Sequence, residues 1–155
     1  MMNLRFKIIA LLFAAFFFSC SSNKWRHTHQ SDLFISYDKS GCFGECPTYK
    51  MTLTGDRSLN RIGIRHVDFL GSSFTKINRK NMNEIESYIR DISRDKLKPQ
   101  YMTGYSDLPS TTFQYSIMPG DTTTVIFEKQ LAPKPIIEIV HILDQIIHEK
   151  GWEIE

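Results

Sequence analysis

Residues 111–129 read Thr111-Thr-Phe-Gln-Tyr-Ser-Ile-Met118, then Pro119-Gly120-Asp121, then Thr122-Thr-Thr-Val-Ile-Phe-Glu-Lys129. The outer two segments alternate apolar with polar side chains, and turn residues separate them. That pattern predicts a β-hairpin, because successive strand side chains point to opposite faces and a half-buried strand must alternate. Pro133 or Pro135 then opens a helix, in whose first turn proline is tolerated. Ile136, Ile139, Val140, Leu143, Ile146 and Ile147 recur at helical spacing and give it a wide apolar face. Gly151 stops this helix, and Trp152 is expected to pack back onto it.

The same alternation runs upstream. Leu33 to Tyr37 reads as a first strand, and Thr48 to Thr54 as a second with Tyr49, Met51 and Leu53 on one face. Gly55-Asp56-Arg57-Ser58 is a turn, after which Leu59 to Val67 pairs back. Asp68 to Ile77 has Phe69, Leu70 and Phe74 around Gly71 and continues as a further strand or a bent extension. Asn78 is placed to cap a helix, since its side chain can accept from a free N–H of the first turn. Met82, Ile85, Ile89 and Ile92 follow at helical spacing, so the helix should run for about four turns and end near Leu97-Lys98-Pro99. The expected order is β-β-β-α-β-β-α. This is an α+β two-layer sandwich, a mostly antiparallel sheet with two helices on one face, formed as a single domain over residues 33–155.

The first nineteen residues stand apart from that domain. Arg5 and Lys7 precede an unbroken apolar run from Ile8 to Phe18. The run is too short for a bilayer, which needs roughly 20 apolar residues, and has the anatomy of a secretory signal. It ends in Ser19-Cys20-Ser21-Ser22, which resembles the lipobox of bacterial lipoproteins, where the cysteine is acylated and becomes the new N-terminus. The resemblance implies a signal peptide over residues 1–19, a lipidated Cys20 and a flexible tether to Asp32. An uncleaved anchor or an ordinary secretory signal is the alternative. Acyl chains on one residue, each buried CH₂ contributing about 0.8 kcal/mol, would hold the chain at a membrane without a transmembrane helix.

Removing that segment changes the charge. The whole chain has 19 basic and 17 acidic residues. Arg5 and Lys7 belong to the signal, so residues 20–155 carry 17 of each (19 − 2 = 17). No basic stripe remains, which argues against nucleic acid as a partner. The tether sequence Ser-Ser-Asn-Lys-Trp-Arg lacks the early acidic residues that, in lipoproteins of the Bacteroidetes type, mark export to the cell surface. The expected location is the cell envelope, on the periplasm-facing side of an outer membrane.

Three cysteines in an exported chain need an accounting. With Cys20 acylated, Cys42 and Cys46 remain as a pair, and disulfides persist in an oxidising compartment. Gly44 between them allows the tight turn that such a bridge requires. A loop that short would stabilise the fold by about 2 kcal/mol in the chain-entropy model. The rival is a redox pair, but thioredoxin-like dithiols have two residues between the cysteines, one fewer than here, and precede a helix, whereas these precede a strand. A metal site or free thiols complete the alternatives.

The segment Gly41-Cys42-Phe43-Gly44-Glu45-Cys46-Pro47-Thr48-Tyr49, with Asp107-Leu108-Pro109-Ser110-Thr111 further on, resembles an uncharacterised domain family of exported bacterial proteins, many from Bacteroidetes. The likeness spans about residues 34–152. It implies the extent of the fold and carries no assigned activity.

The best surface candidate is the loop from Tyr101 to Pro109, where Tyr101, Tyr105, Asp107 and Pro109 could bind a ligand on a chain loosened by Gly104. Alternatively, Asp107 caps a turn and the tyrosines pack on the sheet. His141, Asp144 and His148 lie along one edge of the last helix, with the histidines about 10 Å apart. That spacing is wider than the i,i+4 pair suited to zinc, so a solvated helix edge is expected and no metal. His66 reads as an isolated strand surface residue. With no phosphate loop, nucleophile elbow or paired carboxylates, no catalytic residue and no cofactor are assigned. The reading favours a non-catalytic binding or accessory domain, tethered to a membrane by its N-terminal lipid and meeting an envelope protein or a small ligand. The alternative is a thiol–disulfide redox factor using Cys42 and Cys46.

Overall fold

A computed structural model describes residues 32–105, 107–149 and 151–154. Four strands come first: β1 (Phe34–Lys39), β2 (Thr48–Thr54), β3 (Ser58–Arg65) and β4 (Gly71–Lys76). Helix α1 (Arg79–Asp91) and a 3₁₀ turn at Arg94–Lys96 follow. The chain then forms β5 (Gln100–Tyr101), β6 (Ser110–Ser116), β7 (Thr122–Glu128), α2 (Lys134–Ile147) and β8 (Glu153–Ile154). The strands make one sheet in the order β5-β7-β6-β1-β2-β3-β4-β8, antiparallel except where β5 runs parallel to β7. The α+β architecture is the one the patterning predicts.

Three elements depart from the predicted order. The stretch after Gly71 is a full strand paired to β3, although Phe74 is its one large apolar side chain. Strands β5 and β8 are two residues each and exist only through pairing with β7 and β4, so no local periodicity announces them. Helix α1 also ends earlier, at Asp91, and Ile92 turns out of it in extended conformation.

Local chemistry explains the joints. Asn78 caps α1, its Oδ1 accepting from Asn81 N at 2.8 Å. The β6–β7 turn closes through Asp121 N donating to Met118 O at 3.2 Å, with Gly120 at φ 82°, a region that favours glycine. After α2, Trp152 folds back as expected, and its Nε1 donates to Ile146 O at 3.2 Å. Its ring also lies under Arg61, whose guanidinium carbon is 5.1 Å from the centroid.

The register fixes which strand side chains share a face. Ile35 and Tyr37 of β1 align with Leu53 and Met51 of β2 on one side, and with Tyr115 and Phe113 of β6 on the other. All six are buried, and they pack with Met82, Ile85 and Ile89 of α1 and Ile136, Ile139, Leu143 and Ile146 of α2. Both helices therefore cover one face. Each such large side chain contributes about 1.5–3 kcal/mol on burial. The opposite face carries Lys50, Thr52, Thr112, Gln114 and Thr124, the alternation expected of a sheet with one side open.

Candidate functional site

Tyr37 in β1 and Tyr49 in β2 lie on the helix-covered face of neighbouring strands, buried and meeting edge to face with ring centroids 5.8 Å apart. A buried tyrosine hydroxyl needs a partner, and α2 supplies one. Asp144 Oδ1 accepts from Tyr49 Oη at 2.6 Å and from Tyr37 Oη at 3.1 Å. Lys39 Nζ stands 3.8 Å from Asp144 Oδ2 and 5.6 Å from the Tyr49 ring centroid. Burial pushes the Tyr37 hydroxyl well above the usual phenol range, and the charge of Asp144 pushes it further. Burial and the hydrogen bond to Asp144 do the same for Tyr49. Both phenols are therefore neutral donors at any physiological pH.

Beside this cluster the domain is hollowed. A groove of about 650 Å³ opens between α2 and the ends of β1, β6 and β7. Tyr37, Lys39, Thr111 and Phe127 form its floor, and Ile137, Val140, His141 and Asp144 form a wall of α2 at spacings of three and four residues. Pro109 and the segment from Lys129 to Leu131 close the remaining side. Its size falls within the usual range for small-ligand sites, roughly 300–1,000 Å³.

Two loops that are distant in sequence are joined at this end. Ser110 N donates to Ser40 Oγ at 2.8 Å, Ser40 N donates to Ser110 O at 2.9 Å, and the two hydroxyls are 3.1 Å apart. Ser40 opens the cysteine loop, and Ser110 closes the Tyr101–Pro109 loop. The cysteine loop is cross-linked, Cys42 to Cys46, with Cα atoms 5.6 Å apart. The other loop is pinned by Glu128, whose carboxylate accepts from Thr103 N at 2.7 Å and from the Thr103 hydroxyl. Those two bonds, the hydroxyl's first, hold the Glu128 carboxyl below its ordinary range.

Residues 33–147 match a family described as a domain of unknown function, DUF6438. The chain belongs to this family. No protein with a curated description matches it. The match covers nearly the whole DUF6438 domain seen here, including Cys42, Cys46, Tyr37, Tyr49 and Asp144, and it stops before Trp152.

Within the DUF6438 domain the residues singled out from sequence are scattered. Cys20 and all of the tether before Asp32 lie outside the described residues. Tyr101 sits in β5, half-buried, and its hydroxyl accepts from Lys98 N at 3.0 Å. Tyr105 is 72% exposed and Asp107 is exposed, while Pro109 reaches the groove. Of these four residues, Pro109 is the one that lines the groove. Asp144 is not part of a solvated helix edge, because the tyrosines of two strands rise to meet it. His141 and His148 are exposed as expected, and His141 Nε2 lies 3.0 Å from Gln145 Nε2. His66 belongs to the turn after β3, at φ 53°, and not to a strand. Among the described residues no group of three His, Cys, Asp or Glu is arranged to hold a metal, and no helix is long and apolar enough to cross a membrane.

Sequence reasoning missed Asp144 as a partner of Tyr37 and Tyr49. The available signal was two tyrosines at inward strand positions, each with a hydroxyl to satisfy, and one carboxylate flanked by Val140, Leu143 and Ile147.

Proposed function

We propose that this chain is an envelope lipoprotein whose single domain is a non-catalytic binding module, with the groove along α2 as its ligand site. The groove carries the reading. It is concave, has apolar walls in Ile137, Val140 and Leu131, and has two polar floor side chains, Tyr37 and Lys39, already held by Asp144. Fixed polar groups in an apolar recess orient a ligand without rearrangement, which lowers the ordering cost of binding. The phenols are neutral donors committed to Asp144, and a cluster so engaged suits recognition better than proton transfer at neutral pH. The cysteine pair serves this reading as a clamp beside the groove's mouth, linked to its Pro109 wall through Ser40 and Ser110.

The anchor is the other half of the proposal. The Ser19-Cys20 junction supports acylation at Cys20, with the domain held at the periplasm-facing side of an outer membrane by the residues up to Asp32. Two measurements test the pair of claims. Mass spectrometry of the mature N-terminus should find acyl chains on Cys20, and Cys20→Ala should release the chain from the membrane fraction. A photoreactive residue at Ile137, in cells, should crosslink a ligand or envelope partner that is lost with Val140→Trp. Crosslinks unchanged by the blocked groove would overturn the binding site.

A further inference from the structure

The groove's charges are unevenly used. Its one carboxylate, Asp144, accepts from two phenols and faces Lys39. Lys39 is held by its 3.8 Å approach to Asp144, which uses one side of the ammonium; the group has three N–H donors. Lys129 also lines the groove. Counting Lys39, Lys129 and Asp144, the groove has a formal charge of +1 before His141 is considered, although residues 20–155 are formally neutral as a whole.

Lys129 is placed there by an unusual backbone. It follows β7 directly and has φ 49°, the left-handed region in which a non-glycine residue costs roughly 1–2 kcal/mol. Leu131 N donating to Glu128 O at 3.2 Å closes the turn around it. Strained residues held by their surroundings gather at ligand sites. Here the turn brings Lys129, Gln130 and Leu131 together onto the groove. Apolar side chains line the same groove: Ile137 and Val140 of α2, Phe127 of β7, and Leu131. Thr111 and Gln130 add hydroxyl and amide groups suited to a peptide backbone.

Building on the binding-module reading, we propose that the groove takes the C-terminal end of a peptide, with its terminal carboxylate between Lys39 and Lys129 and its last apolar side chain against Ile137 and Val140. Charge complementarity selects a carboxylate, and the apolar wall selects the residue that bears it. An open groove edged by Thr111, Gln130 and His141 suits a chain with amides better than a bare hydrocarbon tail.

The test uses the full chain in lipid nanodiscs, titrated with acetyl-Gly-Ala-Leu as free acid, as C-terminal amide, and with laurate as a separate arm, followed by backbone amide shifts. The free acid should shift amides at Lys129, Gln130, Ile137 and His141. The amide should bind about tenfold more weakly, the order of magnitude lost with a charge-assisted hydrogen bond. Lys129→Gln, on the surface and so folded, should weaken the free acid by a similar factor and leave the amide unchanged. Equal binding of acid and amide would overturn carboxylate recognition. Laurate binding without peptide binding would replace the peptide by a fatty acid. If no probe binds while Val140→Trp still abolishes crosslinking from position 137, the ligand class is wrong and the groove stands. If Val140→Trp also leaves crosslinking intact, the groove itself is wrong.

Discussion

Tyr49 and Asp144 are 95 residues apart in sequence, yet the phenol donates to the carboxylate at 2.6 Å and ties the second strand to the last helix. The bond closes the sandwich at the end where the groove opens. A hydrogen bond to a charged group contributes about 1.5–3 kcal/mol. Tyr49→Phe should therefore lower stability by about that amount in urea unfolding, with an unchanged m-value. Asp144→Ala should cost more, because it strands two buried hydroxyls. Tyr37→Phe and Tyr49→Phe share one acceptor, so their combined effect should differ measurably from the sum. Strict additivity would mean that the three side chains do not act as a unit.

The same cluster sets an alkaline limit. Both phenols have folded-state pKa values raised above the unfolded value of about 10. Protons are thus bound more tightly by the native state, so this contribution is complete below about pH 10 and is lost as pH rises beyond it. In a spectrophotometric titration, Tyr37 and Tyr49 should remain un-ionised past pH 10 and release their protons only as the fold opens. The Tyr37→Phe/Tyr49→Phe double variant should show a shallower fall of stability above pH 10. Reversible ionisation of all six tyrosines in the folded protein would contradict the cluster's geometry.

Local rules reached most of the architecture. Strand β2, the β6–β7 hairpin, the Asn78 cap and the apolar stripe of α2 depend on side chains a few residues apart, and the patterning displays them directly. Strands β5 and β8 depend on partners far along the chain, Ile126 and Phe127 for one and Ser73 and Phe74 for the other. The groove was hidden for the same reason. A helical wheel places Asp144 on the polar side of α2, but it cannot say that Tyr37 and Tyr49 face that side. Nor does either loop's sequence announce that Ser40 meets Ser110. The loop from Tyr101 to Pro109 drew attention through its composition, and only Pro109 of its four candidates lines the groove.

The β2–β3 turn holds a correctable strain. Arg57 has φ 74°, and its backbone is fixed from two sides, N donating to Thr54 O at 2.9 Å and O accepting from Ile77 N at 3.0 Å. Glycine keeps both bonds and adopts this conformation without the Cβ clash. Its greater freedom in the unfolded chain offsets part of that gain. Arg57→Gly should raise stability by about 0.5–1 kcal/mol, a thermal shift of a few degrees. A loss of stability would mean that the long contact from Arg57 Nη1 to Ile77 O, at 3.4 Å, outweighs the strain.

The Cys42–Cys46 bridge divides the binding reading from its redox rival. As a clamp it closes a loop of five residues, so Cys42→Ser/Cys46→Ser should cost about 2 kcal/mol. The loss should be local: Ser40 still reaches Ser110, and Asp144 still holds both tyrosines, so the groove should keep its ligand. A structural disulfide of this kind should have a reduction potential below about −300 mV and stay oxidised in cells under thiol trapping. A redox factor behaves in the opposite way on each count. Its potential would lie near −200 mV or higher, a reduced fraction would be trapped in vivo, and replacing the cysteines would abolish function while leaving stability almost untouched. Phe43, 91% exposed between the two cysteines, supplies a third readout. Phe43→Ala should leave the rate of disulfide exchange unchanged under the clamp reading, whereas a redox factor that presents this ring to its electron donor should exchange disulfides more slowly at the same potential.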